Sequence, residues 1–140
     1  MTSLQDKIVN AFKWAMLNRP KVNGFPYLAE ALRQAGVTRY VYELPSGQCI
    51  YFSTEGAVAA HTEALISGMV EVPRFNQDAF LKVLRTSQAG ESTFPEFLKG
   101  TWDSGVVRYE ADLLNRRVVY YGAHGESYSE NFPAVEVKVT

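Results

Sequence analysis

Phe25 to Gly56 reads FPYLAEALRQAGVTRYVYELPSGQCIYFSTEG, and Phe94 to Gly125 reads FPEFLKGTWDSGVVRYEADLLNRRVVYYGAHG. A constant offset of 69 superimposes Phe25 on Phe94, Pro26 on Pro95, Gly36 on Gly105, Val37 on Val106, Arg39 on Arg108, Tyr40 on Tyr109, Leu44 on Leu113, Tyr51 on Tyr120 and Gly56 on Gly125. These nine identities fall in 32 aligned positions without a gap. An internal period decides architecture before any local reading does. This one predicts a single domain over residues 1–140, made of two units at about 4–72 and 74–139 related by a pseudo-twofold.

Within each unit the period of the apolar residues changes once. Ser3 with Asp6 three residues later predicts an N-cap, after which Leu4, Ile8, Ala11, Phe12 and Ala15 recur at helical spacing until Pro20. A second helix is expected from Pro26 to Gly36, proline being tolerated in a first turn and glycine favoured just past a last one. From Thr38 the alternation is two: Tyr40, Tyr42 and Leu44 on one side, Arg39, Val41 and Glu43 on the other. Pro45-Ser46-Gly47 turns the chain and Gln48 to Ser53 returns as a hairpin.

The second unit repeats the order. A helix over Asn76 to Gln88 ends at Gly90, a short helix opens at Thr93-Phe94-Pro95 and closes at Gly105, and a hairpin joins Val107–Leu113 to Arg117–Gly122. A third strand per unit is expected at Gly68–Val72 and Ala134–Val137, which share Val-Glu-Val, while Ala57 to Ser67 suits a short helix or an irregular crossing.

Two short helices and a hairpin have too little core to stand alone. The units should therefore share one antiparallel sheet with helices on one face, an α+β fold. Tyr40, Tyr42, Tyr109, Ala111 and Leu113 are expected under the helices, with Phe12, Leu28, Leu32, Phe80, Leu84 and Leu98. Arg39 precedes Glu43 by four residues, and Arg108 precedes Asp112 by four. Along one strand that is about 13 Å, too far for a direct pair. Antiparallel pairing of the two first strands with Val41 opposite Glu110 resolves this. It sets Arg39 against Asp112 and Glu43 against Arg108, and predicts two cross-strand ion pairs.

The stretches GVTRYVYELPSGQCIYFSTEG and FPEFLKGTWDSGVVRYEADLLNRRVVYYGAHGES carry a resemblance. A helix ending in glycine, G-V-x-x-Y leading a strand, and a strand ending in two aromatics before a glycine loop resemble an uncharacterised bacterial family. That family (YbcV-like) occurs in cryptic prophages and sometimes bears the label "phage envelope protein". The resemblance implies a prophage-associated protein and no known catalytic residue.

Composition narrows the function classes. At 140 residues with net charge −1, the chain lacks the basic field that nucleic-acid binding needs, so no nucleic-acid partner is expected. No apolar run approaches the roughly 18 residues of a spanning helix, and the start MTSLQDKIVNAFKWAML is too polar for a signal peptide. No membrane partner is expected. With a single cysteine, Cys49, the reading is a soluble, cytoplasmic protein. Cys49 and the two histidines show no metal-ligand spacing, and no phosphate loop or dinucleotide fingerprint occurs, so neither metal nor cofactor is expected. His61-Thr62-Glu63 matches half of a zinc-deaminase signature whose P-C-x-x-C half is missing.

Candidate ligand-binding residues are Arg39 and Arg108, with Tyr51, Tyr120 and the glycine-flanked His124. If the arginines are free of acidic partners, they could converge on an anion beside tyrosines. Two function classes follow. The favoured one is a non-enzymatic binding or interaction module that uses the open sheet face or an exposed edge for a small molecule, a peptide or a second copy of itself. The alternative is a small enzyme with His124, Glu126 or the Arg/Tyr pairs in a groove between the repeats.

Overall fold

The computed structural model describes residues 2–139. Ser3 caps α1 (Leu4–Asn18), its Oγ accepting the Asp6 N–H. The helix α2 (Phe25–Gln34) begins with Pro26 in its first turn. The strands β1 (Val37–Glu43), β2 (Gln48–Ser53) and β3 (Gly56–His61) follow as a meander. The order then recurs with α3 (Gln77–Gln88), α4 (Phe94–Asp103), β4 (Val106–Asp112), β5 (Arg117–Gly122) and β6 (Ser127–Asn131). Thr93 and Glu96 close α4 with a reciprocal capping box. Gly36 and Gly105 stand just past their helices with φ of 103° and 86°, the left-handed region expected of them.

All six strands form one antiparallel sheet in the order β3-β2-β1-β4-β5-β6, an α+β architecture. At the central seam Val41 lies opposite Glu110, Arg39 opposite Asp112 and Glu43 opposite Arg108, the register expected from the arginine–carboxylate spacing. The helices pack on one face only. Tyr40, Tyr42, Tyr109, Ala111, Val118 and Tyr120 point into that layer and are buried, as are Leu32, Phe80, Leu84 and Leu98 from the helices. Phe12 and Leu28 are half-buried against the same core.

The third strands are not where the Val-Glu-Val motifs place them. Residues 68–72 and 134–137 are not strands, and the sheet is completed by Gly56–His61 and Ser127–Asn131. A two-residue turn at Thr54-Glu55 sends the chain directly back along β2, so the pairing Ser53↔Gly56 through Gln48↔His61 forms despite three alanines of low strand propensity. The valine-rich segments instead trail off the ends of the edge strands. Val137 and Val139 pack on the core, and Gln34 Nε2 donates to the Val137 carbonyl at 2.8 Å.

At the opposite edge, Glu130 of β6 is fastened to α3. Arg85 donates to both of its carboxylate oxygens at 2.7 and 2.8 Å, and Gln88 Nε2 and the Tyr128 hydroxyl add to it. The Arg85 hydrogen bonds outweigh desolvation and push the Glu130 carboxyl down from 4.5 to about 2. A depressed folded-state value means that the group stabilises the fold above about pH 4.5 and loses that contribution as pH falls towards 2. The stability difference between wild type and Glu130→Gln should therefore shrink steadily between pH 5 and 2 in urea titrations. A difference independent of pH would show that the carboxylate charge is not what holds β6.

Candidate functional site: the bare face of the sheet

Strand alternation gives the sheet a second face, and none of the four helices covers it. Reading across the ladders, one row runs Ala59, Ile50, Val41, Glu110, Val119 and Ser129. The next runs Ala57, Phe52, Arg39, Asp112, Arg117 and Asn131. A third carries Glu43, Arg108, Tyr121 and Ser127, with Gln48 and His61 paired farther out. The middle row holds the apolar side chains Ile50 (41% exposed), Val41 and Val119, with Glu110 between the two valines. Polar rows flank this apolar strip on both sides.

The arginines are held flat by aromatic rings. Arg39 lies over Phe52 at 3.9 Å and Arg108 over Tyr121 at 4.5 Å, each ring coming from the neighbouring strand of the same half. Small bulges between Val37 and Arg39 and between Val106 and Arg108 bring Arg39 opposite Phe52 and Arg108 opposite Tyr121 in the ladders.

The expected pair of symmetric ion pairs is not formed. Arg39 Nη1 donates diagonally to Glu110 Oε1 at 3.1 Å rather than to Asp112. Asp112, at the end of β4, accepts from the Leu114 and Asn115 N–H groups and from Asn115 Nδ2, which hold its carboxyl below the usual range. The turn donors reach Asp112 before the arginine does. Among the described residues no carboxylate lies within ion-pair distance of Arg108, although Glu43 is directly across the seam.

The other sequence candidates are dispersed. Tyr51 and Tyr120 point to the helical face, packing on Phe12 and Phe80 respectively, so they share no surface with the two arginines. Burial raises the ionisation of both, and of Tyr40 and Tyr109, so these phenols stay neutral near pH 7. Arg39 and Arg108 do not converge on one anion. They are offset by four residues across the seam, which puts their Cα atoms roughly 14 Å apart. On the helical side of the seam Tyr42 and Tyr109 stack with centroids 5.2 Å apart.

His124 is exposed in the β5–β6 turn, where its backbone N–H donates to Glu126 Oε1 at 2.8 Å. That turn is closed by Glu126 as a fastener. His61 ends β3 at the surface, and Thr62 is bonded to the Tyr42 hydroxyl. Cys49 is buried, its thiol pushed up to about 11 by desolvation. Among the described residues no three His, Cys, Asp or Glu side chains gather as for a metal, and no helix is long and apolar enough to cross a membrane.

What sequence reasoning missed is the row of Ile50, Val41 and Val119 and which of the neighbouring aromatics lie beneath the arginines. The signal was present. Ile50 and Phe52 are in phase with each other and out of phase with Cys49 and Tyr51, so one member of each adjacent aromatic pair had to face away from the helices.

The uncharacterized protein Rv2012 of Mycobacterium tuberculosis (strain ATCC 25618 / H37Rv) is 46% identical to this chain over 122 residues, covering 87% of the chain and 74% of that relative. The uncharacterized protein Mb2035 of Mycobacterium bovis matches at the same identity and coverage. A family profile described as "Protein of unknown function (DUF1398)" matches residues 15–131. With that match spanning most of its length, the chain belongs to the DUF1398 family.

Proposed function

We propose that the chain is a non-enzymatic interaction module whose bare sheet face binds an acidic, partly apolar peptide segment of another protein. The observation that carries this reading is the apolar pair Ile50–Val41, with Val119 beyond the Arg39-paired Glu110, lying beside Arg108, a guanidinium stacked on Tyr121 with no acidic partner of its own among the described residues. The ring and the guanidinium plane give a pre-ordered platform. The outward N–H groups of the arginine donate to a carboxylate in bidentate fashion, and Ile50 and Val41 take apolar side chains of an extended partner. Arg39, already shared with Glu110, is the weaker second station.

The chain is read as one domain of two repeats, working in the bacterial cytoplasm in a prophage-associated lineage. Support for this is the 69-residue offset, the mycobacterial relatives and the family resemblance of both hairpins.

Selection of a displayed random peptide library on the purified protein tests the reading. Sequences enriched in Asp or Glu next to apolar residues are expected, with binding lost in Arg108→Ala and in Ile50→Asp. Absence of any consensus, or a consensus whose binding survives both substitutions, would overturn it.

A further inference from the structure

The two outer edges of the sheet correspond in position but not in chemistry. At β6 the side chains on the bare face are Ser127, Ser129 and Asn131, and Glu130 is clamped by Arg85 of α3. At β3 the corresponding positions are Ala57, Ala59 and His61, and the strand GAVAAH contains no Lys, Arg, Asp, Glu or Pro. Its ladder with β2 is regular, without a bulge. Edge strands are ordinarily guarded by charge, proline or irregularity, and β3 has none of these.

The helix above each edge differs in the same sense. α1 touches α2 on one side and β3 below, so its flank away from α2 stands over the β3 edge. Val9 and Met16, seven residues apart and hence on one flank, are 42% and 80% exposed there. At the 69-residue offset their counterparts on α3 are Asp78 and Arg85. One end of the molecule thus presents a bare strand beneath a helix flank that exposes Val9 and Met16 on either side of Lys13, and the other a polar strand beneath a flank whose counterparts are Asp78 and Arg85.

We infer that the chain forms a twofold dimer through antiparallel pairing of β3 with β3 of a second copy, with the α1 flanks packing across the axis. Alternation of the ladder leaves the N–H and C=O groups of Ala57, Ala59 and His61 pointing outwards, because their neighbours Gly56, Val58 and Ala60 bond to β2. Placing Ala59 opposite Ala59 of the second copy sets Ala57 against its His61, and three such pairs form about six backbone hydrogen bonds. The chemistry favours a second copy over any other strand. β3 joined to β6 would be a head-to-tail contact that propagates into a filament, and the charged flank of α3 opposes it, whereas β3 joined to β3 closes after one contact. The α1 residues Val9 and Met16 then meet their own equivalents, adding the apolar area that a strand edge alone lacks. The dimer carries one continuous sheet whose bare faces lie on the same side. The inference does not depend on what those faces bind.

Sedimentation velocity over a concentration series up to about 100 µM measures it. Wild type is expected at twice the 15.7 kDa chain mass. Ala59→Lys, which sets two ammonium groups face to face on the axis, and Val9→Glu, which leaves the strand untouched, should each shift the protein to the single-chain mass with unchanged far-ultraviolet circular dichroism. Ser129→Lys on β6 should leave the dimer intact. A wild type that stays at the single-chain mass throughout, or a dimer broken by Ser129→Lys and not by Val9→Glu, would overturn the inference.

Discussion

Gly105→Ala is expected to destabilise the fold by about 3 kcal/mol, and Gly36→Ala by only about 1 kcal/mol, though the two glycines occupy matching positions after matching helices. Both have positive φ, so a side chain is strained at either one. The difference lies in what surrounds them. A Cβ on Gly36 meets nothing within 4 Å, whereas one on Gly105 falls 2.5 Å from the backbone N and Cα of Phe75. That backbone is held in place, because the next residue, Asn76, donates its N–H to the Ser104 carbonyl and caps α3 with its side chain. Relief would require moving α3 or α4. Urea unfolding of the two variants at one temperature gives the comparison directly. Equal losses would mean that the 75–76 segment yields freely, and the account of the α3–α4 junction would have to be abandoned.

Phe80→Ala should cost about 3–5 kcal/mol, the range for emptying a fully enclosed aromatic site. Phe80 is 0% exposed, and its ring lies 4.5 Å from that of Tyr120 and 6.1 Å from that of Tyr128. It therefore joins α3 to both outer strands of the second half. Because the sheet runs unbroken through the β1–β4 ladder, the loss should lower the unfolding midpoint seen by Trp14 in α1 and Trp102 in α4 alike. The two signals can be separated by replacing one tryptophan at a time. Transitions that part company in Phe80→Ala, with the first half unaffected, would show that the halves unfold independently.

Much of this architecture is legible in the sequence because the sequence repeats it. The offset of 69 names the elements twice, the helix-ending glycines mark where the period changes, and the register argued from the Arg–x3–acid spacing is the one observed, although the two ion pairs that motivated it do not form. Two things escape such reading. Ala57, Ala59 and Ala60 form a strand because a tight turn returns them to β2, a cause outside their own propensities. Val70 to Val72 and Val135 to Val137 alternate like strands but stay outside the sheet, lying beyond β3, which ends at His61, and β6, which ends at Asn131. Ion-pair partners are beyond a register argument too. Arg39 had two carboxylates in reach across the seam, and the choice of Glu110 was made by backbone donors in a turn that compete for Asp112. The candidate site was half visible. The arginines and the aromatic pairs Tyr51-Phe52 and Tyr120-Tyr121 are legible, but which member of each pair lies under its arginine, Phe52 and Tyr121, is fixed only by the strand register.

The seam carries a kinetic consequence. Four of the five strand ladders close through connections of two to four residues, the hairpins of the two meanders. Only β1–β4 unites residues far apart in the chain, Val41 and Glu110 being 69 positions distant. Closing a loop of that size costs about 4 kcal/mol of chain entropy by the logarithmic rule. On a route in which the hairpin ladders close before the seam, this cost falls on the single step that joins β1 to β4. Substitutions that weaken the seam should then slow refolding more than they hasten unfolding, while those within a single hairpin should chiefly affect how fast the native state opens.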